Sequence, residues 1–376
     1  MHHNLLTQKQ FAALIFTSLL SPLLRSVPRA SVTAAGRGVW ISMIPTLFIL
    51  LALVAFLSVL IRQLHPGEGF AGLFMRWLGP IAGRIALLLY GVWFLLYAGF
   101  VLRSGAARLV AAVYPDSPIF PFLATMLSLC LLASLGTVRA AGRTAYLLQS
   151  FLLTALGLIL LFAAPNISFH NLLPVPLDNI SGILLGSLPF AAMGSLGACF
   201  PFLLGYVEPI MEPGRKAVPL VLGFVFIGIV LCLEVVGSFG PGLTARLSFP
   251  FFLMVRDISV FRITQRIESV VVVLWIFADF ILCTAMLRST FEILRAVFSL
   301  PETEQESVFS FRKGRWLLWV EALLVLFSGI FISRSSFQTA ELSDRIIPFI
   351  GALSIYIGMP LCWFIGFLRG KIQKTA

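Results

Sequence analysis

Charge is scarce in this chain: Asp, Glu, Lys and Arg make up 11% of its 376 residues, against about 25% in an ordinary soluble domain. With 59% hydrophobic residues and a mean hydropathy of +1.00, a soluble fold is excluded. Histidine is almost as rare, with His2 and His3 at the N-terminus and His65 and His170 in loops, so no cluster points to a metal. The five cysteines (Cys130, Cys199, Cys232, Cys283, Cys362) all fall in apolar stretches without metal-ligand spacing. They read as small buried hydrophobes. A nucleotide-binding glycine loop and a nucleophile–base motif are both missing, so neither an enzyme nor a cofactor has support. The net charge of +11 does not imply nucleic acid. Its basic residues are scattered singly at the ends of apolar runs, with no stripe and no nucleic-acid motif, and snorkelling accounts for them. The first apolar stretch lacks an A-x-A-like cleavage site and reads as a retained helix.

Long apolar runs dominate what is present. A span needs roughly 20 apolar residues, which leaves room for about ten with short loops. They fall at 8–27, 38–61, 82–112, 118–138, 144–164, 182–206, 217–240, 267–291, 315–333 and 344–368. The longest polar stretch, 301–315, reads as a solvated loop. The run at 247–260 is apolar for too few residues to cross and reads as an interfacial or re-entrant cap. An even number of spans puts both termini on one side. That side holds the greater share of the 27 Lys and Arg, which supports cytoplasmic termini.

Two of these runs are broken at their midpoints, one leading each half of the chain. In 13–28, Thr17, Ser18, Ser21 and Pro22 interrupt the apolar residues; in 183–206, Pro189, Gly194, Ser195, Gly197 and Pro201 do so. Backbone without helical hydrogen bonds is tolerated in a bilayer only where it is buried in protein or lines a cavity. Matching interruptions are the sequence pointer to a transporter-type site near the midplane. Pro22 should open the first helix around Thr17 to Ser21. The freed N–H groups could hold a carboxylate and the freed carbonyls an ammonium; plain kinks are the alternative. Five plus five spans give an inverted repeat, with a first half at about 8–164 and a second at about 182–368 of one transmembrane domain covering 1–376.

Asp279 is the most conspicuous single residue, about 18 Å into the eighth span at 1.5 Å per residue. A carboxylate at that depth is by default a functional-site candidate. It could partner a substrate ammonium, ligate a cation, accept a proton, or sit as a neutral acid hydrogen-bonded within the bundle. Trp275, Cys283 and Met286 share its helical face. On the third span Tyr90, Tyr97, Ser104 and Arg108 form a stripe, with Tyr97 near the same depth. Glu234, Glu321, Arg103 and Arg334 lie near span ends and read as interfacial. Thr17, Ser18, Ser21, Tyr97, Gly194, Ser195, Gly197, Trp275 and Asp279 are therefore the candidate substrate-binding residues.

One segment carries a family resemblance. Phe249-Pro250, Arg256, Ile258-Ser259, Arg266-Ile267-Glu268 and Leu274-Trp275-Ile276 match the pattern of the spore germination permease family. Further matches are the GRGVWIS run from Gly36 to Ser42, Asn171 to Val175, and Gly186-Ser187-Leu188-Pro189. Where that family often has acidic residues on the third span, Ser104 and Ala107 stand here. Gln265 replaces a usual Glu, and Leu282 replaces a frequent lysine. The resemblance implies the amino acid–polyamine–organocation superfamily and its LeuT/APC-like five-plus-five arrangement with broken helices one and six. It also implies the B subunit of a nutrient germinant receptor in the spore inner membrane, assembled with A and C subunits. Such a subunit binds a small nutrient, an amino acid foremost. A secondary amino-acid transporter coupled to H⁺ or Na⁺ is the rival reading, and a purely structural scaffold a third.

Overall fold

A computed structural model describes residues 5–25, 29–114, 116–175, 178–247, 249–257, 267–300, 314, 316–332 and 336–370. Most of the polar loop at 301–315, and Ile258, Ser259, Arg266 and Arg334, lie outside the described residues. In chain order the helices are α1 (Gln8–Arg25), α2 (Arg29–Ala35), α3 (Met43–Ile61), α4 (Phe70–Val113), α5 (Ile119–Leu135), α6 (Val138–Ala163), α7 (Phe169–Leu172) and α8 (Ile180–Ser195). They continue with α9 (Pro213–Thr244), α10 (Pro250–Arg256), α11 (Ile267–Val297), α12 (Trp316–Phe331), α13 (Ser336–Glu341), α14 (Ile347–Ala352) and α15 (Met359–Leu368). Among the described residues the only extended pairing is an isolated bridge between Leu6 and Val207.

Seven helical stretches are long and apolar enough to cross a bilayer: Met43–Ile61, Phe70–Ala111, Val138–Asn166, Ile180–Tyr206, Pro213–Thr244, Val270–Val297 and Ile347–Leu368. The bent pair Gln8–Arg25 and Arg29–Gly38 makes an eighth if it counts as one span. The difference from about ten lies in α5 and α12, which at 17 and 16 residues fall short of the roughly 20 that a full crossing takes. The seven-residue α10 is likewise too short to cross. Large apolar side chains such as Ile81, Leu147, Phe226 and Leu323 point outward, each with well over half of its surface exposed. An outside that apolar matches hydrocarbon and not water. The chain is an all-helical, multi-pass membrane protein.

Two glycines punctuate the longest helices. Gly79 (φ 80°) precedes Pro80 within α4, and Gly240 (φ 72°) precedes Pro241 within α9. A positive φ ends the first helical piece at little steric cost, and the following proline suits the first turn of the next. Helix α11 lies at the centre and packs against α4, α1, α5, α6 and α12. Its residues are apolar nearly all round, and Val271, Leu274, Ala278, Leu282, Cys283 and Leu287 are all buried, as expected of an enclosed helix.

The two interrupted segments behave differently. Helix α1 is wound through Pro22 to Arg25, so the expected opening at Thr17 to Ser21 is not where the chain changes direction. The change comes after Arg25, with 64° between α1 and the Arg29–Gly38 segment. Pro22 removes one helical hydrogen bond, yet Ser18 and Ser21 before it remain enclosed. In the second segment α-helix ends at Ser195 and a 3-10 stretch runs from Leu196 to Tyr206 through Pro201. Gly194, Gly197 and Pro201 are poor formers of an α-helix interior, and the tighter winding follows from them.

Candidate functional site

Helices α1, α4 and α11 bring three ionisable side chains together in the interior. Asp279 on α11 is 1% exposed. Its Oδ2 accepts a hydrogen bond from Arg108 Nη2 on α4, and its Oδ1 accepts one from the Ser21 hydroxyl on α1. Arg25 Nη2 lies 3.9 Å from Oδ1 and also donates to Ser21 Oγ at 3.3 Å. Arg108 Nη1 donates to Ser104 Oγ at 2.7 Å. Both serine–arginine pairs are four residues apart, so each pair shares one helix face.

Aromatic rings complete the enclosure. The Arg25 guanidinium lies 5.1 Å from the centre of the Phe100 ring, and that of Arg108 lies 5.0 Å from the Trp275 ring. A desolvated cation gains most from such a face. Trp275 is itself held by its Nε1–H, which donates to the Leu24 carbonyl at 3.1 Å. Tyr97 stacks between Trp93 and Phe100. Gly105 makes room for the carboxylate, because a Cβ there would sit 2.8 Å from Asp279 Oδ2.

The cluster is not neutral. Among the described residues, two guanidiniums and one carboxylate leave an excess of one positive charge, with all three groups nearly free of solvent. Buried charges normally come compensated, so an uncompensated cation suits an incoming anion. Arg25 Nε, Arg108 Nε, Thr17 Oγ1 and Ser18 Oγ are buried without a hydrogen-bond partner. Beside Arg25 and Tyr97, bordered by Pro22, Ala192, Met193 and Leu196, lies a cavity of only about 20 Å³. That is room for a single water. The site is closed.

Of the candidate residues, Ser21, Tyr97, Trp275 and Asp279 converge here, with Thr17 and Ser18 buried on the same helix. The other three lie elsewhere. Gly194 and Gly197 border a separate apolar crevice, and the Ser195 hydroxyl donates to the Ala192 carbonyl of its own helix at 2.7 Å. Arg25 is not among the residues singled out from the sequence, and Arg108 enters there only as part of a stripe. The repeated Ser-x-x-x-Arg spacing, at Ser21–Arg25 and Ser104–Arg108, was the available signal. Glu234 and Glu321, expected at the interface, are 3% and 0% exposed. A second network holds one cation and one anion: Arg295 donates to Glu292 at 2.8 Å and to the Tyr206 hydroxyl at 2.7 Å, and Tyr206 donates to Glu292 at 2.7 Å, with Arg295 Nε left without a partner. Among the described residues no group of three His, Cys, Asp or Glu could hold a metal ion.

Comparison with known proteins assigns the chain to a family. Residues 5–333 match the sequence model of a family described as spore germination protein, the spore permease family. Among similar proteins, spore germination protein KB of Bacillus subtilis (strain 168) is 25% identical over 240 residues, 62% of this chain and 64% of its own. Putative spore germination protein YfkT of the same strain is 25% identical over 208 residues, 52% of this chain and 54% of its own. The chain thus spans between half and two thirds of the length of these relatives. A helical membrane protein matched from its first described residue to the end of α12 belongs to the spore germination protein family.

Proposed function

We propose that this chain is the B subunit of a spore nutrient-germinant receptor and that it senses a small amino acid at the cluster formed by Arg25, Arg108 and Asp279. The observation that carries the reading is the buried excess of one positive charge, next to unpartnered Thr17, Ser18 and arginine Nε atoms, in a chain of this family. A zwitterion fits such a set. Its carboxylate would take Arg25, the more loosely held guanidinium at 3.9 Å from Asp279, and its ammonium would share the Asp279 carboxylate with Arg108.

A cavity of about 20 Å³ admits no amino acid, so on this reading the structure is the unliganded, closed state. Binding would then favour an enlarged state, and the nutrient acts through its higher affinity for that state. The bend after Arg25 and the change of winding at Leu196 are the elements that would move. They support a five-plus-five inverted repeat of ten spans, in which α5 and α12 are short crossings. Assembly with A and C subunits in the spore inner membrane, with cytoplasmic termini, completes the proposal. Asp279, a charged acid deep in the bundle, also suits a secondary amino-acid transporter that couples to H⁺ or Na⁺.

The test is nutrient-triggered germination of spores that carry Arg25→Gln or Asp279→Asn at wild-type protein levels. Losing one charged hydrogen bond, about 1.5–3 kcal/mol, should raise the amino-acid concentration needed by roughly tenfold or more. An unchanged dose response for both variants rules the site out. Uptake of amino acid by the reconstituted subunit alone, driven by an imposed ion gradient, would favour the transporter over the receptor.

A further inference from the structure

Helix α1 has a second face. Between α1, α3, the 3-10 stretch Leu196–Tyr206 and α9 runs a crevice of about 420 Å³, within the size range of small-molecule sites. Its walls are apolar, formed chiefly by Ile15, Leu19, Leu53, Leu57, Leu220 and Phe224. Along α1 it extends from Gln8 to Leu19, about 16 Å at 1.5 Å per residue. Polar side chains gather at one end: Gln8, Lys9 and Lys216. Lys9 and Lys216 are exposed. Lys216 donates to Gln8 Oε1, while Gln8 Nε2 donates to the Pro209 carbonyl at 2.7 Å. That end gathers the start of α1, the end of α3 and the start of α9. Exposed Arg62 follows α3, and the neighbouring Glu212 is engaged by Arg215 at 3.3 Å.

The chemistry of this crevice differs from that of the Asp279 cluster. A small zwitterion would find no partner along its walls, and a dry apolar tube is a poor place for water. A long hydrocarbon chain with an anionic head matches both parts, because basic residues at a helix end attract the phosphates of an anionic leaflet. We propose that the crevice holds one acyl chain of an anionic phospholipid, with its phosphate on Lys9 and Lys216. The chain then lies against Ile15 and Leu19, while Ser21 on the same helix meets Asp279. A seated lipid would brace α1 and the 3-10 stretch from the side away from the charged cluster. The proposal stands independently of the nutrient reading.

It is tested with the full chain in lipid nanodiscs that contain phosphatidylglycerol carrying a photoreactive diazirine at the end of one acyl chain. Cross-links are mapped by mass spectrometry. The expected result is labelling concentrated on 53–57 and 220–224, competed by unlabelled phosphatidylglycerol and far less by phosphatidylcholine. Lys9→Gln with Lys216→Gln should lower the yield about tenfold or more. Leu57→Trp, which fills the tube, should lower it with both lysines intact. The competition arms need only the wild-type chain, so misfolding of a variant does not rescue or sink the idea. The proposal is overturned if label spreads equally over the outward faces of α5 and α6, if phosphatidylcholine competes as well, or if only a photoreactive free fatty acid labels the crevice.

Discussion

Asp279, Arg108 and Arg25 make a quantitative case in which the order of the effects matters more than their size. Wild-type protein holds two cations and one anion there, a net charge of +1. Asp279→Asn raises that to +2, with both guanidiniums buried and no counter-charge among the described residues. Arg108→Gln instead lowers it to zero, leaving Arg25 and Asp279 as a pair 3.9 Å apart. At an effective dielectric constant near 20, that pair attracts with about 4 kcal/mol before desolvation is counted. Breaking a buried pair by removing one partner costs about 3–5 kcal/mol. Asp279→Asn should fall at the upper end of that range and Arg108→Gln at the lower. The double variant returns the net charge to +1 with two amides in place of the pair, and should recover about 2 kcal/mol or more of the summed losses. Four cysteines, Cys130, Cys199, Cys232 and Cys283, are buried, so a thiol-reactive dye reports unfolding in detergent. By the trend with chain length, about 2 °C per kcal/mol applies, placing Asp279→Asn about 10 °C and Arg108→Gln about 6 °C below wild type. The reasoning fails if Asp279→Asn unfolds at the wild-type temperature, if Arg108→Gln is the worse variant, or if the two losses simply add.

Other substitutions probe the same packing by different means. Gly105→Ala would set a Cβ 2.8 Å from Asp279 Oδ2 and 3.2 Å from Met126 Cε, an overpacking worth about 1–3 kcal/mol. Gly157→Ala in α6, where nothing lies within 4 Å, should match or exceed wild type by up to about 1 kcal/mol; dye-monitored melting of the two variants gives the comparison. Trp275→Phe removes the donor to the Leu24 carbonyl and weakens the ring face under Arg108. A loss of about 1–3 kcal/mol is expected in the same melt, and a neutral result would show that neither contact matters. Both Glu321 oxygens are buried without partners, so Glu321→Gln, which keeps the shape without a charge to desolvate, should cost less than about 1 kcal/mol. A melting loss as large as that of Asp279→Asn would contradict this.

Asp279 could be found from sequence because an acid inside a long apolar run has no ordinary explanation. Ser21 was legible too, from its place before Pro22, but the arginine partners of Asp279 are not singled out by position. Arg25 closes an apolar run and is followed by Arg29 and Arg37, so by position it resembles any residue that marks a helix end. Only the packing of α1 against α11 turns it inward, and that contact is set by tertiary structure. Arg108 shares a face with Ser104 and Tyr97, which the helical period predicts, yet nothing local says that α11 supplies the anion opposite. The opening expected at Pro22 rests on its missing N–H and on the clash of its ring with the preceding turn. A proline deprives the helix of one hydrogen bond, but the surrounding contacts of Leu20, Leu23 and Leu24, all buried, keep α1 wound until Arg25. Crossing number was legible for the long runs and blurred for α5 and α12, whose lengths sit near the threshold at which apolar runs of any origin look alike.

Helix α1 ties these observations together. Six residues of it border an apolar crevice on one side, while Ser21 and Arg25 reach the charged cluster on the other. The 3-10 stretch also borders both spaces, through Gly197 and Pro201 on the crevice and Leu196 on the small cavity. Two elements shared between two spaces cannot shift in one without reshaping the other, since close-packed interiors transmit displacement. An occupant of the crevice that holds α1 against α11 would therefore oppose the enlargement that an amino acid requires. Under linkage, an occupant that prefers the closed state lowers nutrient affinity, and nutrient lowers the affinity of that occupant by the same factor. The proposed lipid and the proposed nutrient would in that case act on one equilibrium from opposite faces of a single helix.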